Sequence, residues 1–478
     1  MKSSILKGTL IYTLANTIIK LGGLVFLPIM TRILTTEEFG IIGILSPITT
    51  IFTIVLGLGF YNVILKKYVD LKDNKEELET FKFTVVIFIL FLNLLVLVVF
   101  LIPCFRGVIE KIFKVDYLLV LISMIIAMVN SLNNMALSLF RIEKKYFKVA
   151  IGSLISFFTN YILAIYFISK LHLGIFGNQF ANLCAVITLL IFLYVEYFKD
   201  IHVKFSKNDL VYSVYNGVPL IFIELTDQLV NFSDRYILAV FNISYGLIGA
   251  YTLAYTGSRI LSVITGSFIN AWTAELYLDI RNEKINRNLE LFFSILAFFC
   301  IGASLFSPEA ISLLFPKHYL LAIQYMPVVL TSAIVQSLYA LDYYFHYFEK
   351  SKYIVVFTFL ALVINVSLNL ILIPIFKSNA VYIAGLTTLI ALTTRAIIEF
   401  VIINRCFKIK FRYYKFVIYF LLAFNPILIY LTRRPIGIVS ILLKLLYILI
   451  CIGIIIKDDK NWRKHLIYLR QRIIGRAN

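Results

Sequence analysis

Glu224, Asp227, Gln228, Asn231, Asp234 and Arg235 lie within one largely apolar stretch. Their spacings put them along one face of a helix. A second row follows, with Tyr251, Tyr255, Arg259, Ser262, Gly266 and Asn270. A third near the start holds Asn16 and Lys20, then Gly23 and Arg32. A Lys, Arg or Asp held in mid-membrane costs roughly 2.5–3.5 kcal/mol on insertion scales. Lys20 lies about ten residues from either end of its apolar stretch, too deep for its ammonium to snorkel easily to an interface. Arg259 lies midway along its own stretch. Both side chains therefore face water, a counter-charge or an anionic ligand. An internal ion pair with Asp227 or Glu224 is the structural alternative. Phosphate and pyrophosphate suit Lys and Arg. The flanking groups Asn16, Tyr251, Tyr255 and Asn270 suit sugars or other hydroxylated ligands. A lipid-linked saccharide combines the two chemistries, with its apolar tail left in the bilayer.

Other ionisable groups read as structure. Arg395 and Glu399 are spaced i, i+4, which favours a local pair. Lys444 reads as a lipid-interface or packing residue, and His346 as a packing histidine. Arg32 and Arg235 sit at outer helix ends, at equivalent places in the two halves of the chain. No Walker A sequence, His-Glu-x-x-His or Gly-x-Ser-x-Gly occurs. Cys104, Cys184, Cys300, Cys406 and Cys451 are far apart and form no metal-ligand spacing. No loop is long enough for a catalytic domain, so the chain is not expected to be an enzyme or to need a cofactor.

The elements that position these residues follow from composition. Of 478 residues, 61% are hydrophobic and 15% charged, which excludes a soluble enzyme and a disordered chain. A membrane core needs about 20 apolar residues per helix. Fourteen stretches qualify, near 9–31, 41–65, 83–105, 117–140, 147–169, 175–197, 211–233, 246–272, 290–307, 322–347, 353–375, 379–403, 415–431 and 436–456. The first carries no short apolar core ending at a small-residue cleavage site and reads as an uncleaved helix. The fold class is an all-α polytopic membrane protein. The net charge of +19 comes from 45 Lys and Arg against 26 Asp and Glu. With the N-terminus inside, 31 basic residues fall in inner segments and 10 in outer loops. That bias puts both termini in the cytoplasm. It also explains most of the charge without nucleic acid. The basic tail, residues 457–478, is expected to lie on anionic headgroups.

An internal repeat divides the chain. Asn130-Ser131-Leu132 with Glu143-Lys144 corresponds to Gln336-Ser337-Leu338 with Glu349-Lys350, at an offset of 206 residues. Phe39-Gly40-x-x-Gly43 corresponds to Tyr245-Gly246-x-x-Gly249 at the same offset. Asn160-x-Ile162-Leu163 matches Asn369-x-Ile371-Leu372 at 209. The resulting division is 1–205 for helices 1–6, 206–410 for helices 7–12 and 411–456 for helices 13–14. Six is even, so the repeat is parallel, with a pseudo-twofold axis along the membrane normal. Polar stripes mark helices 1, 2, 7 and 8, with 4 and 10 beside them. Transporters of this symmetry place substrate between the halves.

The first half resembles the Wzx-type polysaccharide flippases of the multidrug/oligosaccharidyl-lipid/polysaccharide exporter superfamily. The residues are Leu27-Pro28-x-x-x-Arg32-Ile33-Leu34 and Glu38-Phe39-Gly40-x-x-Gly43. The second half adds Asp234-Arg235-x-x-Leu238, Tyr245-Gly246-x-x-Gly249-x-Tyr251-x-x-Ala254 and Leu368-Asn369-x-x-Leu372-Ile373-Pro374. This resemblance implies two six-helix lobes in a V shape, with the last two helices outside. It implies a bacterial inner-membrane flippase that moves undecaprenyl-pyrophosphate-linked repeat units outward for O-antigen or capsule-like polysaccharide. Proton or sodium coupling is implied, and the acids Glu224 and Asp227, from the residue reading, are the candidate cation ligands. So are a polysaccharide polymerase and a chain-length regulator as partners. Arg32 and Arg235 carry over from the matched motifs, whereas Lys20 and Arg259 rest on the spacing argument. The rival readings are a lipid II flippase, a drug/cation antiporter and a membrane glycosyltransferase or polymerase.

Overall fold

The computed structural model describes residues 2–458 except 72, 199–202, 282–286, 408, 410 and 435. The tail from residue 459 onward lies outside the described residues. So do some side chains within helices, Asn270 among them. Helices and the turns between them make up the described chain. Contacts divide it into two compact units, Met1–Thr252 and Leu253–Asn478.

Unit 1 contains α1 Lys2–Ile33, α2 Thr36–Gly57, α3 Phe60–Leu71, α4 Lys75–Leu101, α5 Arg106–Phe113, α6 Tyr117–Ile142, α7 Tyr146–Ser169, α8 Gly174–Tyr197 and α9 Lys207–Val240. Helix α10, Tyr245–Arg281, begins in unit 1 and continues into unit 2. The rest of unit 2 is α11 Arg287–Leu305, α12 Ser307–Leu314, α13 Ala322–Ser337, α14 Asp342–Tyr347, α15 Lys352–Ile375, α16 Ala380–Phe407, α17 Tyr413–Ala423, α18 Pro426–Arg433 and α19 Ile438–Asp458.

Among the described residues, twelve helices are long and apolar enough to cross a membrane. A thirteenth crossing arises if α11 and α12, bent by 55°, are one span. The remaining expected crossing is α9, which is 34 residues long. It is absent from the apolar set because Asp209, Glu224, Asp227, Asp234 and Arg235 interrupt it. The stretch expected as one helix over 41–65 is broken. Leu58 and Gly59 both take left-handed backbone, with φ of 48° and 66°, so α2 ends and α3 starts in a new direction. The stretch 415–431 is broken as well. Asn425 caps α18 by accepting from Leu428 N at 2.9 Å, and Pro426 occupies the first turn.

Close backbone approach ties unit 1 together. A Cβ on Gly40 would lie 1.9 Å from the Tyr245 carbonyl oxygen, and one on Gly249 would lie 2.0 Å from that of Thr36. A Cβ on Gly43 would meet the Thr252 hydroxyl at 2.1 Å. Only glycine lets α2 and the start of α10 cross this tightly, which is how helices gain packing in lipid. The crossing pairs Thr36 with Gly249 and Gly40 with Tyr245, and it exchanges onto itself at an offset of 209 residues. The sequence match at these motifs suggested 206, so their packing symmetry is shifted by three residues, nearly one helical turn.

A second close approach joins the α2–α3 break to α9. Cβ atoms on Gly59 and Gly217 would meet the carbonyl oxygens of Gly217 and Leu58 at 2.5 and 2.3 Å. Glu38 completes the frame. Its Oε2 accepts from Thr35 N at 2.9 Å, the Thr35 hydroxyl accepts from Glu38 N at 3.1 Å, and its Oε1 accepts from Ile175 N at 3.1 Å. One carboxylate thus caps α2 in a capping box and also satisfies the first turn of α8. Phe60, Phe81, Val85, Phe140 and Leu193 fill the core where α3, α4, α6 and α8 meet.

Unit 2 is tied by buried charges. Arg395 donates from Nε to Glu399 at 2.6 Å and from its terminal nitrogen to Asp342 at 2.9 Å, with the Tyr339 ring centroid 3.7 Å away. The expected local pair is therefore part of a larger cluster joining α14 and α16. Lys444 is fully buried and donates to Glu309 at 2.6 Å, which ties α19 to α12. Lys415 is also buried, 3.5 Å from Glu290. Asn365, Asn369, Thr387 and Thr388 form a hydrogen-bonded chain between α15 and α16.

Candidate functional site

Helix α1 carries three distinct faces. Gly22 and Phe26 pack against α7, where a Gly22 Cβ would sit 2.6 Å from the Phe157 ring and Phe26 stacks on Tyr161 at 4.3 Å. Leu14, Ile18, Leu21, Val25 and Ile29 form an exposed, wholly apolar row suited to lipid. Thr13, Asn16 and Lys20 form another row, with Thr13 and Lys20 exposed and Asn16 partly so. At 3.6 residues per turn, Lys20 points roughly 140° away from the centre of the apolar row. Its ammonium makes no hydrogen bond or ion pair with any described residue. An exposed cation turned away from the apolar row can meet an anion without first breaking an ion pair with a described residue.

Arg32 is exposed in the last turn of α1, where the helix dipole favours a cation. Arg235 has a different setting. It is 4% exposed, with its guanidinium 5.3 Å from the Phe232 ring centroid and 5.9 Å from that of Tyr251. Tyr251 is fully buried and donates to Asp234 Oδ2 at 2.6 Å, while Asp234 Oδ1 accepts from Arg235 N at 2.7 Å. Asp234, Arg235 and Tyr251 thus form one buried cluster that ties the end of α9 to the first turns of α10. That setting gives Arg235 and Tyr251 packing work, whereas Lys20 and Arg32 are exposed.

Glu224 on α9 is partly buried and accepts from the Tyr61 hydroxyl and, at 3.2 Å, from Asn62 Nδ2. Both donors follow the Leu58–Gly59 break. In a single span over 41–65 their spacing does not mark them as a pair of donors. The signal was Gly57-Leu58-Gly59, whose two glycines mark a turn. Asp227 lies one turn further along α9 and is partly buried; its carbonyl accepts from Asn231 Nδ2 at 2.8 Å. In unit 2, Arg259 is exposed on α10, and Tyr255 one turn before it is half-buried. Asn270 belongs to α10, but its side chain lies outside the described residues.

The chain folds like solved transporters. It superposes on the inward closed conformation of the lipid II flippase MurJ with a TM-score of 0.72 at 17% identity, covering 94% of this chain and 99% of the other. It matches an inward-facing multidrug resistance MATE family transporter of the MOP superfamily with a TM-score of 0.63 at 16% identity, covering 83% and 94%. A MOP superfamily transporter from Pyrococcus furiosus matches with a TM-score of 0.55 at 15% identity, covering 85% and 96%. Identities this low establish the fold alone. No curated protein sequence matches the chain. A family model described as polysaccharide biosynthesis protein matches residues 5–273, more than half of the chain. The chain therefore belongs to the polysaccharide biosynthesis protein family, and its fold is that of the MOP transporters.

Proposed function

We propose that the protein is a flippase that moves polyprenyl-pyrophosphate-linked oligosaccharide repeat units from the inner to the outer leaflet of a bacterial plasma membrane, by alternating access. The observation that carries this reading is Lys20, an exposed cation within an apolar helix, turned away from that helix's exposed apolar row. Retaining it there has an insertion cost of roughly 3 kcal/mol. A pyrophosphate passing α1 gives that charge a use. Arg32 offers a second exposed cation on the same helix. Membership of a polysaccharide biosynthesis family supports a saccharide cargo. The neighbouring Asn16 suits its hydroxyl groups.

Glu224 is our candidate for the coupling-ion site, for either protons or sodium. Its two neutral donors leave its negative charge uncompensated in that group of three, so a cation is favoured beside it. A polymerase and a chain-length regulator are the expected partners, and the basic-residue bias favours a cytoplasmic location for both termini. Structural likeness to a lipid II flippase favours a second reading, in which the cargo is the peptidoglycan precursor. Deletion of the gene separates the two readings. If lipid-linked surface-polysaccharide units accumulate on the cytoplasmic leaflet while peptidoglycan synthesis continues, the first holds. Arrest of peptidoglycan synthesis alone supports the second.

A further inference from the structure

Unit 2 contains a cavity of about 500 Å³ between α16 and α17, backed by α11 and α13. Phe293, Leu338 and Phe416 form its deep wall. Ile397, Val401 and Val417 line its opening and are 57%, 42% and 55% exposed, so it opens on an apolar outer surface. The lining positions on α16 run from Thr393 to Arg405, which spans roughly 18 Å of helix at 1.5 Å per residue. Thr393 turns its hydroxyl back onto the Leu389 carbonyl at 2.7 Å and offers the cavity no free donor. The polar groups lie at the opposite end, where Asn404, Arg405 and Tyr413 line the cavity.

The charges at that end differ. Arg412 and Lys415 approach Glu290 at 3.9 and 3.5 Å. Arg405 is exposed and makes no ion pair with any described residue. It stands two residues from the end of α16, a helix long and apolar enough to cross a membrane. On the orientation set by the basic residues, this loop faces the cytoplasm, whose leaflet carries anionic lipid.

We propose that this cavity holds one acyl chain of an anionic phospholipid, with the phosphate held by Arg405 and Asn404. An elongated apolar slot open to the bilayer takes a hydrocarbon chain. A cation at one end selects the headgroup. This site is separate from the transport reading and stands whether or not the cargo is a saccharide.

Native mass spectrometry of the full-length, detergent-purified protein tests it, with phosphatidylglycerol and phosphatidylcholine as probes. The wild type is expected to bind phosphatidylglycerol about fivefold more tightly, the worth of one basic residue near anionic lipid. Arg405→Gln removes that preference but keeps lipid binding. Ile397→Trp, at an exposed rim position, closes the opening and weakens binding of both lipids, with elution volume and melting midpoint unchanged. Equal wild-type affinity for the two lipids overturns the assignment, as does an Ile397→Trp protein that binds like wild type. One-for-one displacement of phosphatidylglycerol by polyprenyl phosphate also overturns it, since the cavity then belongs to the cargo's tail.

Discussion

Within each unit, the closest approach between helices has a different origin. In unit 1, helices approach through glycines, at Gly40 and Gly249 and again at Gly59 and Gly217. Charged groups also join its helices, through Lys67–Asp209 at 3.1 Å between α3 and α9 and through the Asp234–Tyr251 contact, while its buried pair Glu79–Lys82, at 2.7 Å, lies within one helix. In unit 2, the ties are charges: Arg395 to Asp342, Lys444 to Glu309 and Lys415 to Glu290. Position within a membrane helix therefore does not reveal the role of a basic residue. Lys444 and Lys20 both sit in apolar helices. One is buried and paired, and the other is exposed without a described partner. The first is architecture, and the second is available to a ligand.

That contrast breaks most visibly at Arg395. Arg395→Met leaves Glu399 and Asp342 without their cation and is expected to cost about 3–5 kcal/mol. Purified yield and melting midpoint in detergent report the loss. Lys444→Met is expected to act similarly but less severely, because Glu309 keeps partial access to solvent at 23% exposure. The double variant Glu309→Leu with Lys444→Met recovers most of the stability, since a buried pair replaced by apolar groups is often neutral. A double variant as unstable as the single one would mean that the pair does more than satisfy its own charges.

On the unit 1 side, Gly40→Ala forces α2 away from the Tyr245 carbonyl, at an expected cost of about 1–3 kcal/mol for overpacking. A melting midpoint equal to wild type would show that the crossing is looser than described. Glu38→Gln is milder: the amide oxygen still accepts from one of the two backbone N–H groups, at Thr35 or Ile175, and the loss of the other bond costs about 0.5–1.5 kcal/mol. The charge effects at the ends of α2 and α8 are worth about 0.3–1 kcal/mol each. The smallest effect on stability belongs to Lys20. Lys20→Ala is expected to change it by no more than about 0.5 kcal/mol, the usual range for a surface site, while transport falls strongly.

Hydropathy made the spans legible, because each crossing must be apolar over its own length. Local pairing was legible too: Arg395 and Glu399 are one turn apart, and they meet. Lys444 was harder, since its partner Glu309 is 135 residues away and no spacing rule reaches that far. The same holds for Glu38, whose second acceptor role is to Ile175, 137 residues on. Arg32 and Arg235 looked equivalent as residues at helix ends. Their burial separates them, because Arg235 is enclosed by Phe232 and Tyr251 while Arg32 is open. The polar stripe on α1 was visible from spacing alone. Its separation from the lipid row needed the contact with α7 to fix the helix's rotation.

Proteoliposomes offer the most direct measurement. Wild type, Lys20→Arg and Lys20→Ala would be incorporated at equal density, and the transfer of a labelled polyprenyl-pyrophosphate-linked repeat unit between leaflets followed under an imposed ion gradient. The account predicts that wild type and Lys20→Arg flip the lipid and that Lys20→Ala loses most of the rate at unchanged stability. Transfer by Lys20→Ala at the wild-type rate, or no transfer by the wild type above protein-free vesicles, would contradict it.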